Sequence, residues 1–264
     1  MKTSSLQVQM NKIYNFLGFF IGSVCRYRSC VTTQNLARAF PQASYGEIRQ
    51  YQRSFYRNMG RVLVESVFPF LPKPIVESAA VEHLQHIHHS RRNIILMIGH
   101  YGNWEALNKL PLQIDIPIQA LYKPIKNKLL NGIVMKLREN YGARMIPAQH
   151  GIRTLIKEKN NPSITLFVAD QFPGHQNGLP MEFLNQNTVV FTGAEKVAKK
   201  LDAYVAYVEM EATTRHRWKV TFKTICDFAS KTEEGFITKV YIQNLEKSIQ
   251  QDPSWWLWTH RRWK

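Results

Sequence analysis

Asn93-Ile94-Ile95-Leu96-Met97-Ile98 runs without a break into Gly99-His100-Tyr101-Gly102-Asn103-Trp104-Glu105. The first six residues are apolar and rich in β-branched side chains, which predicts a short strand buried on both faces. The next seven have the composition of a turn and a helix start. Gly102 can adopt a positive φ, and Asn103 suits an N-cap. A strand feeding a helix through a polar turn is the repeating unit of an open α/β sheet. In such sheets, ligand and catalytic groups gather at the carboxyl ends of the strands.

The same alternation extends to both sides. Ile116–Leu121, Arg144–Ile146, Ile164–Ala169, Ala203–Glu209 and Trp218–Ile225 read as further strands, separated by helical patterns over 104–110, 127–141, 151–159 and 192–201, with a last helix over 235–250. Strands alternating with helices predict the α/β class, a mainly parallel sheet covered by helices on both faces. Upstream, Ser44 and Glu47 form a capping-box pattern. It opens a helix with Ile48, Tyr51, Phe55, Met59, Val62 and Leu63 along one face, before Pro69, Pro72 and Pro74 break it. No repeat and no linker divides residues 32–264, which read as one domain behind an apolar and basic segment, 1–31.

Within that segment Ile13–Val24 is apolar and Arg26 and Arg28 follow it. A bilayer span needs about 20 apolar residues, so the stretch reads as an interfacial or membrane-anchoring helix on the cytoplasmic side, or as an amphipathic helix packed on the domain. The chain has 264 residues, 35 Lys+Arg against 19 Asp+Glu and a net charge of +16. Such a balance favours anionic partners: nucleic acid, an anionic membrane surface or a phosphorylated substrate. Four of the six tryptophans, Trp255, Trp256, Trp258 and Trp263, stand beside His260, Arg261, Arg262 and Lys264. That tail suits a membrane interface, a stacking nucleic-acid binder or a packed Trp face. Hydrophobic residues at 44% exclude global disorder, and three cysteines exclude a disulfide framework. Cys226 reads as a core thiol. The histidine-rich stretch Glu82–Ser90 lacks a completing Cys or carboxylate set and reads as a surface loop, with no metal. No GxSxG elbow, P-loop, GxGxxG or HExxH is present, against hydrolase, NTPase, dinucleotide and zinc-protease chemistry.

His100 and Glu105 are the chemistry-bearing pair. Five residues apart, they would diverge on one continuous helix, and they meet only if the chain turns at Gly102. Glu105 would then reach back to one imidazole nitrogen and leave the other free as a general base. A structural histidine and a helix-favoured first-turn glutamate are the plainer alternative.

The spacing GHYGNWE resembles the H-x4-E signature of the late acyltransferases of lipid A biosynthesis, the lauroyl/myristoyl transferase family. Asn35–Pro41 (NLARAFP), Tyr122-Lys123-Pro124 with Asn127 and Leu130, Asp170-Gln171 with Gly174 and Gly178, and Trp256–Lys264 (WLWTHRRWK) are similar to further blocks of that family, in the same order. The resemblance implies a glycerolipid-acyltransferase-like domain that moves a fatty acyl chain from acyl carrier protein to a hydroxyl of a phosphorylated glycolipid, a lipid A precursor. It implies action at the cytoplasmic face of an inner membrane, with no cofactor and no nucleic acid. His100 would be the base and Glu105 its orienting partner, without an acyl-enzyme. Asn103, Lys123, Asp170 and Gln171 would stand on the substrate side, with Asp170 orienting Lys123 or another donor, or capping its own loop. Lys123 replaces the family's usual Arg, so a point charge stands where a planar fork is expected. Glu182–Asn185 replaces an aromatic run ending in Gly. The alternatives are a lysophospholipid or aminolipid acyltransferase and, from another class, a basic nucleic-acid-binding protein.

Overall fold

A computed structural model describes residues 2–68, 72–174, 178–213 and 216–263, with side chains from residue 8 onward. Helix α1 (Lys2–Phe19) continues into a π-helical turn, Phe20–Val24. Helices α2 (Ser29–Ala39) and α3 (Tyr45–Val67) follow, with Pro41 just beyond the end of α2. The Ser44–Glu47 capping box is formed in both directions. Then come β1 (Lys73–Val76), α4 (Ser78–His89), β2 (Ile94–Ile98), a 3-10 helix over Trp104–Leu112, β3 (Ile118–Tyr122) and α5 (Lys128–Glu139). The chain closes with β4 (Arg144–Pro147), α6 (Ala148–Lys157), β5 (Ile164–Val168), β6 (Gly178–Phe183), β7 (Gln186–Phe191), α7 (Gly193–Leu201), β8 (Tyr204–Ala212), β9 (Arg217–Cys226) and α8 (Phe236–Gln251).

Seven strands form one sheet in the order β1-β9-β8-β2-β5-β3-β4. Every neighbouring pair is parallel except β8–β9. β2 lies between β8 and β5, and all five of its residues are buried. Its side chains alternate between two cores, as a period of two requires. Ile95 and Met97 pack with Phe55, Leu245 and Trp256, whereas Ile94, Leu96 and Ile98 pack with Leu84, Leu107 and Leu110. Helices therefore cover both faces, and the expected architecture is present.

One expectation needs correction, and three further features take a definite form. The histidine-rich stretch is helix α4 and not a loop, because Leu84 and Ile87, three residues apart, bury one face against the sheet. The tryptophan-rich tail belongs to the core: Trp256 is 2% exposed, and Trp258 and Arg262 are fully buried. The segment around Glu182–Asn185 is the turn of an antiparallel hairpin, β6–β7. Leu184 and Asn185 both have positive φ, 51° and 59°, the geometry of a tight two-residue hairpin.

The last of these is the N-terminal segment. No helix among the described residues is long and apolar enough to cross a membrane, and the boundary expected after residue 31 falls inside α2. α1 instead crosses α3 closely. A Cβ on Gly60 would come within 2.7 Å of the Tyr14 carbonyl, and one on Gly18 within 2.6 Å of the Arg57 backbone. Tyr14 is buried and its hydroxyl meets His216 Nδ1 at 2.8 Å. The outward side of α1 and of the π-helical turn after it keeps Ile13, Phe16, Phe19, Phe20 and Val24 exposed.

Candidate active site

The loop that carries His100 leaves the carboxyl end of β2, and β5 ends beside it. Gly102 does adopt a positive φ, 67°, with Met210 and Trp218 packed where a side chain would go. The loop is held from outside by the tail. Leu257 N–H donates to the His100 carbonyl at 3.1 Å, Gly102 N–H donates to the Trp255 carbonyl at 3.1 Å, and Tyr101 bridges Trp256.

His100 meets Asp170, not Glu105. Its Nδ1 lies 2.7 Å from Asp170 Oδ1, and its backbone N–H donates to Asp170 Oδ2 at 2.8 Å. Trp256 Nε1–H donates to the same Oδ2 at 2.8 Å. Asp170 is 2% exposed. Burial alone would raise its pKa, but His100 and these donors override it and hold the carboxyl down at about 2. An ionised carboxylate only accepts hydrogen bonds. The Nδ1 proton is thereby fixed on the ring, and the Nε2 lone pair faces away from Asp170. Burial likewise lowers the pKa of His100, and Asp170, with a smaller contribution from Glu105, more than reverses it, for a net rise opposed by Arg138. Gln171 Nε2 lies 3.4 Å from His100 Nε2, and Trp104 packs edge-on to the imidazole at 5.0 Å.

Glu105 is turned to α5. Arg138 grips it with two N–H groups: Nε donates at 2.9 Å to Oε2 and Nη2 to Oε1. The expected reach of Glu105 back to His100 is not made, because a planar guanidinium matches both carboxylate oxygens at once and β5 supplies a closer acid. Asn103 stands at the helix start, but its side chain makes no cap bond. It is fully buried, and its amide donates to Glu65 Oε2 at 2.7 Å. Lys123 is exposed just beyond β3, with no ion pair or hydrogen bond to His100, Glu105 or Asp170 among the described residues. The loop therefore brings His100, Asp170 and Gln171 together, sets Glu105 next to them with Arg138, and leaves Lys123 outside.

Alongside lies a cavity of about 640 Å³ whose wall includes Gly102, Trp104 and Glu105 from the loop. Its remaining lining is mostly apolar: Phe55, Met59, Val62 and Leu63 from α3, Val134 and Leu137 from α5, and Trp255 and Leu257 from the tail. Tyr27, Leu63 and Ile125 line it and are also exposed, so its rim is apolar at the surface. Glu65 closes one side as a buried hub that accepts from Arg61 Nε at 2.7 Å, Trp218 Nε1 at 2.9 Å and Asn103.

Sequence reasoning missed Arg138, Trp256 and Glu65. Arg138 reads as one more cation on a basic helix, and Glu65 as one acid on a long helix. Trp256 stands in a motif whose partner is 86 positions away. Cys226 is intermediate in exposure, and burial raises its thiol to about 11, as suits a core thiol and not a nucleophile.

Residues 7–264 match the family described as bacterial lipid A biosynthesis acyltransferase. Among curated proteins, the chain is 24% identical over 259 residues to the lipid A biosynthesis palmitoleoyltransferase of Escherichia coli K12, covering 94% of this chain and 84% of the relative. The same figures hold for a lipid A biosynthesis acyltransferase of Shigella flexneri. A Haemophilus influenzae lipid A biosynthesis acyltransferase is 21% identical over 242 residues, covering 90% of this chain and 78% of that protein.

Proposed function

Because the chain belongs to the bacterial lipid A biosynthesis acyltransferase family, we propose that it carries a fatty acyl chain from an acyl carrier protein thioester to a hydroxyl of a phosphorylated lipid A precursor, with His100 as general base. The chain is an acyltransferase. The observation that carries the mechanism is the 2.7 Å contact between His100 Nδ1 and a buried, ionised Asp170, next to an apolar cavity of about 640 Å³. Apolar walls suit acyl chains, each buried methylene contributing about 0.8 kcal/mol.

The steps balance without a covalent enzyme intermediate. His100 Nε2 takes the acceptor hydroxyl proton as the oxygen attacks the thioester carbonyl. The tetrahedral oxyanion collapses, the C–S bond breaks, and the imidazolium returns its proton to the leaving thiolate. Asp170 holds the tautomer and stabilises the imidazolium, as the carboxylate does in a Ser-His-Asp triad. Glu105 adds a second negative charge near the ring, tempered by Arg138. The Gln171 amide, within reach of Nε2, is positioned to donate to the oxyanion.

The test is mass spectrometry of lipid A from cells with and without the gene, paired with the purified protein acting on acyl carrier protein and precursor. One acyl chain should be missing in the deletion and restored by the wild type but not by His100→Ala. An unchanged lipid A profile overturns the reading.

A lipid acceptor puts the site at a bilayer, on the cytoplasmic side, where a soluble carrier donor is available. Support comes from the apolar cavity rim and from exposed faces on α1 with its π-helical turn (Phe16, Phe19, Phe20) and on α5 (Leu129, Leu130, Ile133). Salt screens charge over about 10 Å at 0.1 M but does not weaken apolar burial. High salt is therefore expected to release little protein from membranes, and detergent most of it. Phe16→Glu with Phe20→Glu, on the exposed face where the two rings stack at 6.5 Å, should make the protein extractable by salt. Complete release of the wild type by salt counts against apolar anchoring.

A further inference from the structure

A second cavity, of about 450 Å³, opens beside the first, and the two share one wall residue, Lys109. Lys73, Lys109 and Arg217 line it together with Gln113, and no acidic side chain among the described residues does. Lys109 is only 7% exposed, and its Nζ spends one donor on the Pro72 carbonyl at 2.7 Å. Burial lowers its pKa, and repulsion from Lys73 adds to that. The one acid acting on it is Glu65, already engaged by Arg61, Asn103 and Trp218. Lys73 and Arg217 are exposed and have no ion-pair partner among the described residues. Three cations thus converge on a recess with no counter-charge.

The topology sets this recess on the same rim as His100. β9 runs antiparallel to β8 and β1 parallel to β9, so both begin on the side of the sheet toward which β2, β5 and β8 run, with Arg217 about five residues, roughly 16 Å, beyond the level of Ile98. Lys73 and Arg217 are register partners at those two strand starts. With strands about 4.8 Å apart, β9 lies about 10 Å and β1 about 14 Å from β2 across the sheet. Lys109 itself is four residues beyond Glu105 on the 3-10 helix, about 8 Å along its axis.

We propose that Lys73, Lys109 and Arg217 form a phosphate site that receives a phosphate group on the sugar headgroup of the acceptor lipid while its hydroxyl lies at His100. The assignment rests on the functional reading above. A concave recess with a buried lysine, walled off by that lysine from an apolar cavity, fits a phosphorylated headgroup with chains attached. A carrier protein would dock on convex, exposed cations.

Lys109 packs internally, so the test uses Lys73→Gln with Arg217→Gln, both at exposed positions. Binding of a phosphorylated glycolipid acceptor, and of the same lipid after phosphatase treatment, is measured by calorimetry in detergent micelles with the full chain and no donor. Losing two charge-assisted contacts should weaken binding of the phosphorylated lipid about tenfold or more. The dephosphorylated lipid should bind both proteins alike, and no more tightly than the phosphorylated lipid binds the variant, which keeps Lys109. Acceptor KM should follow the same pattern, and carrier KM should not move. Equal binding of the phosphorylated lipid by wild type and variant overturns the phosphate site even if turnover is normal. A rise confined to carrier KM overturns it in favour of donor docking. A binding contrast that persists in a wild type without transfer activity sustains the site and overturns only the functional reading.

Discussion

Asp170→Asn lowers kcat by about 10²–10⁴-fold, close to the loss from His100→Ala, while both proteins stay folded. An asparagine in place of Asp170 still accepts from Trp256 Nε1 and from the His100 backbone, so the loop keeps two of its ties. It removes the charge that fixes the proton on Nδ1. The neutral ring is then free to hold its proton on Nε2, where it cannot act as a base. The imidazolium formed during attack also loses its buried counter-ion. Glu105→Gln should cost less, because Glu105 acts on the ring through space and is neutralised by Arg138. Steady-state kinetics on purified variants checks the order. If Asp170→Asn turns over normally and Glu105→Gln is dead, the base is oriented by Glu105 and the assignment of Asp170 is lost.

The same pair sets a pH dependence whose sign differs between activity and stability. The base works only when neutral, so kcat/KM rises with pH through the His100 pKa. That pKa is raised above its ordinary 6.5, so the acid limb should lie above 6.5 in the wild type and move down in Asp170→Asn. Stability runs the other way for the imidazole. A pKa raised by folding contributes stability that is complete below the unfolded value and lost as pH rises through the folded one. For Asp170, whose pKa is lowered to about 2, the contribution is present above the ordinary carboxylate range and lost as pH falls toward 2. The charged pair is therefore tightest between these limits, where the enzyme is least active.

Why the sequence pointed to His100 but not to the acid that touches it follows from what each signal measures. A buried strand, a positive-φ glycine and a histidine after it are local features, and β2, Gly102 and His100 stand where those features put them. The partner of His100 is 70 residues away. It is adjacent only because β5 pairs with β2 in parallel, in the register that sets Val168 beside Ile98. Hydrophobic runs identify buried strands without giving their order, so no local pattern distinguishes a strand-end aspartate at the site from one that caps a loop. The composition of the tail leaves its place open for the opposite reason. Trp beside Arg is an interfacial composition, yet Trp256 and Arg262 are buried because the tail pairs with the catalytic loop and packs on Phe183. The resemblance to the lipid A acyltransferases identified the order of the blocks, Asp170 among them, but gave Asp170 no part in holding His100.

Glu65→Ala should destabilise the fold more than any exposed-charge substitution, by about 3–5 kcal/mol. Glu65 is fully buried, and its two oxygens receive Arg61 Nε, Trp218 Nε1 and Asn103 Nδ2, with His216 Nδ1 at 3.2 Å. Truncation leaves three buried donors without an acceptor and one guanidinium without its counter-charge. At about 2–4 °C per kcal/mol for a domain near this size, Tm should fall by roughly 10 °C. Glu158→Ala, which breaks the largely exposed Arg144–Glu158 pair, should move Tm by no more than a few degrees. The larger effect also reaches function. Asn103 hangs on Glu65 from one side of the loop that carries His100, and Tyr14 ties α1 to the same cluster through His216. Loss of the hub therefore loosens catalytic loop and N-terminal helix together, and hydrogen exchange should rise at both in the variant. Arg61→Met combined with Glu65→Leu removes charge and counter-charge in one step, and it should recover part of the lost stability, since apolar replacement of a buried pair is often near neutral. If calorimetry finds Glu65→Ala within 2 °C of wild type, water or a neighbouring group satisfies those donors, and Glu65 is not what joins the two segments.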